Sequence, residues 1–193
     1  MGSLKLQHME LQKQVRNLKR DAMLDPVLGM WNRAAITRSL GIELERCTQS
    51  GKPLSLLFVA VKQYQDLKDR LGSIAGDAFL LKVASRMRSC IRPFDALGRF
   101  ESDVFLVVLP GASHLVAAAV AERMRLSLVS RPETIEDESI DIAMSAGVVS
   151  SDIFPQATSE ILLNQAEKAL LAARRLENNH IVQAEAEQVT LSN

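Results

Sequence analysis

The stretch Leu54-Ser-Leu-Leu-Phe-Val-Ala-Val61 constrains the fold of this chain more than any other. It has the length of a strand and almost no polar residue, so it reads as a central β-strand covered on both faces. Such a strand needs helices on either side, and the flanking sequence supplies them. Asn32 is placed to cap a helix running to about Cys47, with Ile36, Leu40 and Leu44 on one side, and Gly51-Lys-Pro53 turns the chain into the strand. Downstream, Tyr64 to Leu71 reads as a short helix ended by Gly72, and Asp77 to Ile91 as a longer one carrying Phe79, Leu80, Val83, Ala84 and Met87. Leu97 to Phe100 and Val104 to Leu109 form the arms of a hairpin with Glu101-Ser-Asp103 at its tip. A helix over 114–130, a polar stretch over 131–138, a strand over 140–149, a helix over 159–177 and a closing strand at Ile181-Val182 complete the pattern. Helices and strands alternate, but the hairpin breaks a purely parallel order. The expectation is an α+β fold of ferredoxin-like type, a mixed sheet of about five strands packed by helices.

Ahead of this lies a helix with an apolar seam, Leu4, Leu11, Val15, Leu18 and Ala22, with His8 filling its gap. The steps are those of an a/d stripe, which fits a coiled-coil stalk or a single amphipathic helix folded back on the domain. Asp25-Pro-Val-Leu-Gly29 ends it, since proline interrupts a helix and glycine supplies the bend. The chain therefore divides into an N-terminal helix over 1–24, a domain over 25–183 and a tail over 184–193. Met1-Gly-Ser3 resembles a cloning remnant, with the expectation that the natural protein extends further upstream.

Composition removes several classes of function. Lys and Arg together number 23, as do Asp and Glu, so no basic excess points to a nucleic-acid polymer. No apolar run approaches the roughly 20 residues of a membrane span, and the expected setting is the cytoplasm, alone or as part of a longer, membrane-attached protein. Cys47 and Cys90, each placed in a helix, read as ordinary thiols of a cytosolic protein.

Several short motifs, in order, carry a resemblance. Asp25-Pro-Val-Leu-Gly-Met-Trp-Asn-Arg33 looks like Asp-x-Leu-Thr-Gly-Leu-x-Asn-Arg; Gly72 with Gly76-Asp77 matches Gly-His-x-x-Gly-Asp. Arg99-Phe-Glu-Ser-Asp-Val-Phe105 resembles Arg-Tyr-Gly-Gly-Asp/Glu-Glu-Phe, Ser145-Ala-Gly-Val148 matches Ser-Ile-Gly-Val, and Ala166-Glu-Lys-Ala-Leu170 resembles Ala-Asp-x-Ala-Leu. Together they resemble the diguanylate cyclase (GGDEF) family over residues 25 to about 182. That resemblance implies the palm architecture of nucleotidyl cyclases.

The residues that would perform cyclase chemistry depart from the family pattern. Joining two GTP molecules requires carboxylates that hold divalent cations over the reacting phosphates. Where the family strand ends Asp-Ile-Asp-x-Phe-Lys, this chain has Ala60-Val-Lys62-Gln-Tyr-Gln65, and neither a methyl nor an ammonium coordinates Mg²⁺. The two hairpin glycines become Glu101 and Ser102, whose side chains should crowd a guanosine lying against the backbone. The signature acid survives as Asp103, which alone reads as a polar turn residue, and the next carboxylate is replaced by Val104. Of the family's guanine-reading pair, the Asn position holds Lys68 while Asp77 remains; the phosphate-binding Lys appears as Arg174 and the following Arg as Asn178. No catalytic residue, metal or cofactor is expected.

Upstream of the hairpin, Arg92-Pro-Phe-Asp95 offers the opposite. Guanine presents O6 and N7 as acceptors and N1–H and N2–H as donors, so an arginine fork and a carboxylate can take one pair each. Pro93 and Phe94 form a stiff turn that would direct both side chains to one side. The resemblance implies that this Arg-x-x-Asp is the family's inhibitory site for cyclic di-GMP, with Arg123 as its third residue. The expected function is a cyclic di-GMP receptor signalling to a partner or attached domain, as a homodimer through the N-terminal helix, the ligand or both. A nucleotide-free interaction or dimerisation module and a residual GTP-binding domain stay open as alternatives.

Overall fold

The structure is a computed structural model describing residues 2–177 and 179–186. Asn178 and the tail from 187 onward, which the sequence places in a phosphate-site comparison and a C-terminal tail, lie outside the described residues.

Helix α1 (Gly2–Asp21) leads into α2 (Arg33–Gln49), β1 (Leu54–Val61), α3 (Gln63–Leu71), α4 (Ser73–Ser89), β2 (Ala96–Arg99) and β3 (Val104–Pro110). Then follow α5 (His114–Val129), β4 (Glu133–Ile135), β5 (Glu138–Ile140), β6 (Met144–Ser150), α6 (Ser159–Arg175) and β7 (Ile181–Gln183). The main sheet has five strands in the order β2-β3-β1-β6-β7, antiparallel except for the parallel pair β6 and β7. The α+β palm with a mixed sheet is what the sequence leads one to expect.

β1 lies at the centre of the sheet, and every residue in it is buried. Its side chains alternate between two apolar layers, as a period of two requires. Leu57, Val59 and Val61 join Phe105, Val107, Phe79, Val83 and Met124 beneath α4 and α5, whereas Leu56, Phe58 and Ala60 join Leu106, Ile36, Leu40 and Leu170 beneath α2 and α6. At about 1.5–3 kcal/mol per fully buried large apolar side chain, these two layers dominate the favourable side of folding.

Two glycines are required by close approach. A Cβ on Gly147 would lie 2.3 Å from the Ala166 carbonyl oxygen, and one on Gly98 would lie 2.7 Å from Ile36. Gly147 thus lets α6 press directly onto β6.

The structure revises three boundaries. α4 begins at Ser73, ahead of the expected Asp77, because Gly72 at φ 94° starts it and Gly76 is a helical residue packed against Tyr64. The polar stretch 131–138 is no loop: most of it belongs to the hairpin β4–β5, turned at Glu136 and Asp137, both with positive φ. Ile140 closes that hairpin, so the following strand starts at Met144. Arg86 fastens the hairpin to α4, 2.6 Å from Glu133 and bonded to the carbonyls of Leu128, Arg131 and Pro132. Cys90 caps the C-terminal end of α4, just beyond the helix in which the sequence places it.

Helix α1 stands with its side chains from Ser3 through Ala22 exposed, and its seam is uncovered. Asn32 caps α2 through the Ala35 N–H (2.9 Å) and also donates to the Ala22 carbonyl (2.8 Å), joining the base of α1 to the domain. Among the described residues, no helix is long and apolar enough to cross a membrane.

Candidate functional site

Two places stand out, at opposite ends of the central strands. The first is the hairpin tip beside the C-terminal end of β1. Ala60 pairs directly with Val104 on one side and Ser145 on the other, and Ala60 and Val104 are each 2% exposed within the α2–α6 layer. Two positions that the resemblance links to carboxylates are therefore packed as apolar side chains. Asp103 reaches Arg174 at 3.8 Å, an exposed ion pair of the kind that contributes at most about 1 kcal/mol. It is thus more than a lone polar turn residue.

Glu101, Ser102 and Asp103 turn the hairpin with ordinary backbone angles, none of them at positive φ. The turn is held by Arg99, which donates to the Ser102 carbonyl (2.8 Å) and to Tyr64 Oη (3.3 Å) and pairs with Asp25 (3.4 Å). Asp25 in turn accepts from the Val27 and Leu28 N–H groups, which ties the opening motif to the hairpin. Phe58 packs against Phe100 with the rings tilted (centroids 4.7 Å apart), and the Arg33 guanidinium covers Phe100 at 4.1 Å. A cavity of about 40 Å³, space for a few waters, lies on the α6 side of the tip between Phe58, Phe100, Leu170 and Arg174.

Lys62 caps the start of α3, with its backbone N–H on the Ala143 carbonyl. Lys68 leans over the Tyr64 ring at 5.9 Å, and a Cβ on Gly76 would meet that same ring at 3.1 Å. Asp77 is half-buried on α4. Among the described residues no three His, Cys, Asp or Glu side chains gather as metal ligands, and Asp103 with Ala60 and Val104 is a poor donor set for Mg²⁺.

The second place is the turn before β2. The Asp95 N–H donates to the Arg92 carbonyl (3.1 Å), closing a β-turn with proline at its second position. The Asp95 carboxylate is 2% exposed and accepts from the Arg92 backbone N–H (2.8 Å), Nε (3.2 Å) and Nη2 (3.1 Å). Sequence reasoning places both side chains on one side as a joint guanine reader. They do share a side, but the carboxylate faces inward and holds the guanidinium as a bidentate partner. Arg92 remains 47% exposed, is steadied by the Pro110 carbonyl (3.1 Å), and lies 4.3 Å over the Phe94 ring. Its Nη1 has no partner among the described residues.

Arg123 on α5 donates through Nε (3.1 Å) and Nη2 to the Cys90 carbonyl, two residues before Arg92. The structure thus brings the three expected residues to one turn. Sequence reasoning misses Arg88, whose guanidinium grips the carbonyls of Asp95 (2.8 Å) and Pro93 (3.0 Å) and stiffens the turn from below. Its position one helical turn ahead of Arg92 is the signal that was available.

Comparison with known proteins agrees with this architecture. The family described as "Diguanylate cyclase, GGDEF domain" matches residues 22–180. Diguanylate cyclase DgcP of Pseudomonas aeruginosa is 30% identical over 168 residues, 87% of this chain, which spans only 24% of that protein. The GGDEF domain of TpbB (YfiN) from Pseudomonas aeruginosa has a TM-score of 0.77 at 28% identity, covering 84% of this chain and 94% of that one. The coiled coil and GGDEF domain of DgcB from Caulobacter crescentus, solved with c-di-GMP, has a TM-score of 0.87 at 22% identity. It covers 95% of this chain and 96% of that one, a likeness of fold.

Proposed function

The chain belongs to the GGDEF family of diguanylate cyclase domains, and from that premise we propose that it works as a cyclic di-GMP receptor without cyclase activity. The observation that carries the reading is the turn at Arg92. A half-exposed guanidinium, fixed from behind by a buried carboxylate, presents Nη1 to solvent with Arg123 docked beside the same turn. A preorganised guanidinium loses little freedom on binding, and its donors match O6 and N7 of guanine. Asp95 acts first as the positioning partner of Arg92; for its carboxylate to read N1–H and N2–H as well, the pair has to open on binding.

Support for the loss of chemistry comes from the other end of the strands. Ala60 and Val104 sit where carboxylates are needed, and Asp103 is engaged by Arg174. The domain keeps the fold and reads the family's product, passing the signal to a partner protein or an attached domain.

The test is calorimetric titration with cyclic di-GMP without metal, alongside GTP with Mg²⁺. Saturable heat with cyclic di-GMP alone is the expected result. Heat only with GTP and Mg²⁺ would favour a residual nucleotide-binding domain, and no heat with either would favour an interaction module.

A further inference from the structure

The two most exposed aromatic side chains of the protein, Phe94 (64%) and Trp31 (39%), line one cleft. It measures about 640 Å³ and opens between the Arg92–Asp95 turn, the outer face of α4 and the segment over 24–31 that leads out of α1. That volume is in the range of small-molecule sites, sixteen times that beside the hairpin tip (640 against 40 Å³). Leu28, Met30, Leu81 and Leu97 give it an apolar floor.

Its polar groups are few and placed at the walls. Ser39 and Ser85 line it, and neither hydroxyl has a hydrogen-bond partner among the described residues. Arg88 contributes a positive charge that the carbonyls of Asp95 and Pro93 hold still. The backbone of Trp31 and the ring of Phe94 are both held. Trp31 is bridged to Gly98, with its carbonyl accepting from the Arg99 N–H (2.9 Å), so it belongs to the edge of the sheet. Phe94 has the Arg92 guanidinium on its ring at 4.3 Å, which leaves the rest of the ring to the cleft.

Flat apolar faces, a few unpaired hydroxyls and a fixed cation describe a site for a planar heterocycle carrying phosphate. We propose that the cleft receives a purine base of the nucleotide ligand, stacked on Trp31 and Phe94, while Arg92 reads a guanine edge across the same turn. The proposal rests on the cyclic di-GMP reading above and extends the site from the Arg92 side of Phe94 to its cleft side. A cyclic dinucleotide has two bases on one ring of phosphates, so a turn gripped from both sides accounts for both of them. Arg88 then faces the phosphates, and the serine hydroxyls meet the base edge.

Trp31 is the sole tryptophan, so its fluorescence reports from inside the cleft. The full chain is titrated with cyclic di-GMP and followed in parallel by calorimetry and tryptophan emission; Phe94→Leu and Trp31→Leu are titrated by calorimetry. The expected result is an emission change that saturates with the calorimetric isotherm, and roughly tenfold weaker binding for each variant, the loss of one base–aromatic stack. Should Trp31→Leu fail to fold, the wild-type emission and Phe94→Leu, altered at an exposed ring, still decide. Heat with unchanged emission and wild-type affinity in Phe94→Leu overturns the cleft and leaves the Arg92 site standing. No heat from the wild type overturns both.

Discussion

Asp95 holds two groups at once, the Arg92 backbone N–H and the Arg92 fork, from a position 2% exposed to solvent. Replacing it with alanine leaves a part-buried N–H without its acceptor and lets the guanidinium swing, so Asp95→Ala should cost about 1 kcal/mol of stability as well as affinity. Arg92→Lys separates the two effects. The ammonium keeps its charge beside Asp95 but has no fork, so binding of cyclic di-GMP should fall by about 1.5–3 kcal/mol while the melting temperature changes little. Equal affinity in calorimetry would remove Arg92 from the site. A different residue-scale effect is expected at Asp152, after β6. Burial alone would push its carboxyl up, but the Ser150 hydroxyl, the His114 ring and the His114 N–H outweigh burial and hold it below the usual carboxylate range. A carboxyl depressed in the folded state stabilises at pH above its unfolded value near 3.9, and that contribution is lost as pH falls through the folded value. Acid unfolding of Asp152→Asn should therefore lack that part of the pH dependence below about pH 4; an unchanged acid limb would show that the contacts carry no linkage.

The elements most legible in the sequence are those whose signal is local. β1 announces itself by eight buried positions, the cap of α2 by Asn32, and the β2–β3 hairpin by two apolar arms around a polar tip. The β4–β5 hairpin was hidden because its turn uses Glu136 and Asp137 at positive φ, where glycine or asparagine is the usual cue. The start of α4 was hidden because Gly76, which reads as a breaker, is kept for contact with Tyr64, a residue on another helix. The inward turn of Asp95 could not be read either, since it depends on Arg88 and Pro110 holding the backbone and guanidinium from outside the motif. Two predictions belong to elements. Gly147→Ala places a methyl 2.3 Å from the Ala166 carbonyl and 2.4 Å from the Leu170 nitrogen, so α6 must move off the sheet. A loss of about 1–3 kcal/mol in denaturant unfolding is expected, as for other overpacked sites; a neutral result would mean that α6 shifts freely. At the hairpin tip, incubation with GTP and Mg²⁺ or Mn²⁺ should give neither cyclic di-GMP nor a linear intermediate. Turnover abolished by Asp103→Asn would reverse that reading.

Across the whole molecule, the unanswered surface is α1. Leu4 (75% exposed), Leu11 (59%), Val15 (42%) and Leu18 (68%) form a seam that packs on none of the described residues of its own chain, and among these the helix is not folded back on the domain. His8, which fills the gap in the seam, bonds Gln12 at 2.9 Å. Pairing two such helices would bury eight large apolar side chains, each contributing up to about 1.5–3 kcal/mol if covered completely. A seam of under three heptads covers them only in part, while association costs about 4–15 kcal/mol of translational and rotational freedom. The two magnitudes overlap, which places an isolated stalk near balance and makes a second contact decisive. The ligand can provide it: two domains that each grip one face of a stacked cyclic di-GMP pair through Arg92 are held together at a second point, outside the α1 seam. Light scattering should therefore give a monomer–dimer equilibrium that cyclic di-GMP shifts toward dimer. Removing residues 1–22 breaks the contact between Asn32 and the Ala22 carbonyl but leaves the Asn32 cap of α2, so the domain should stay folded. The truncated chain should still bind ligand at the Arg92 turn with little change in affinity at high dilution, yet dimerise more weakly at every ligand concentration. A full-length chain that stays monomeric at high concentration with and without cyclic di-GMP would exclude this arrangement, and truncation that abolishes binding would place α1 in the site itself.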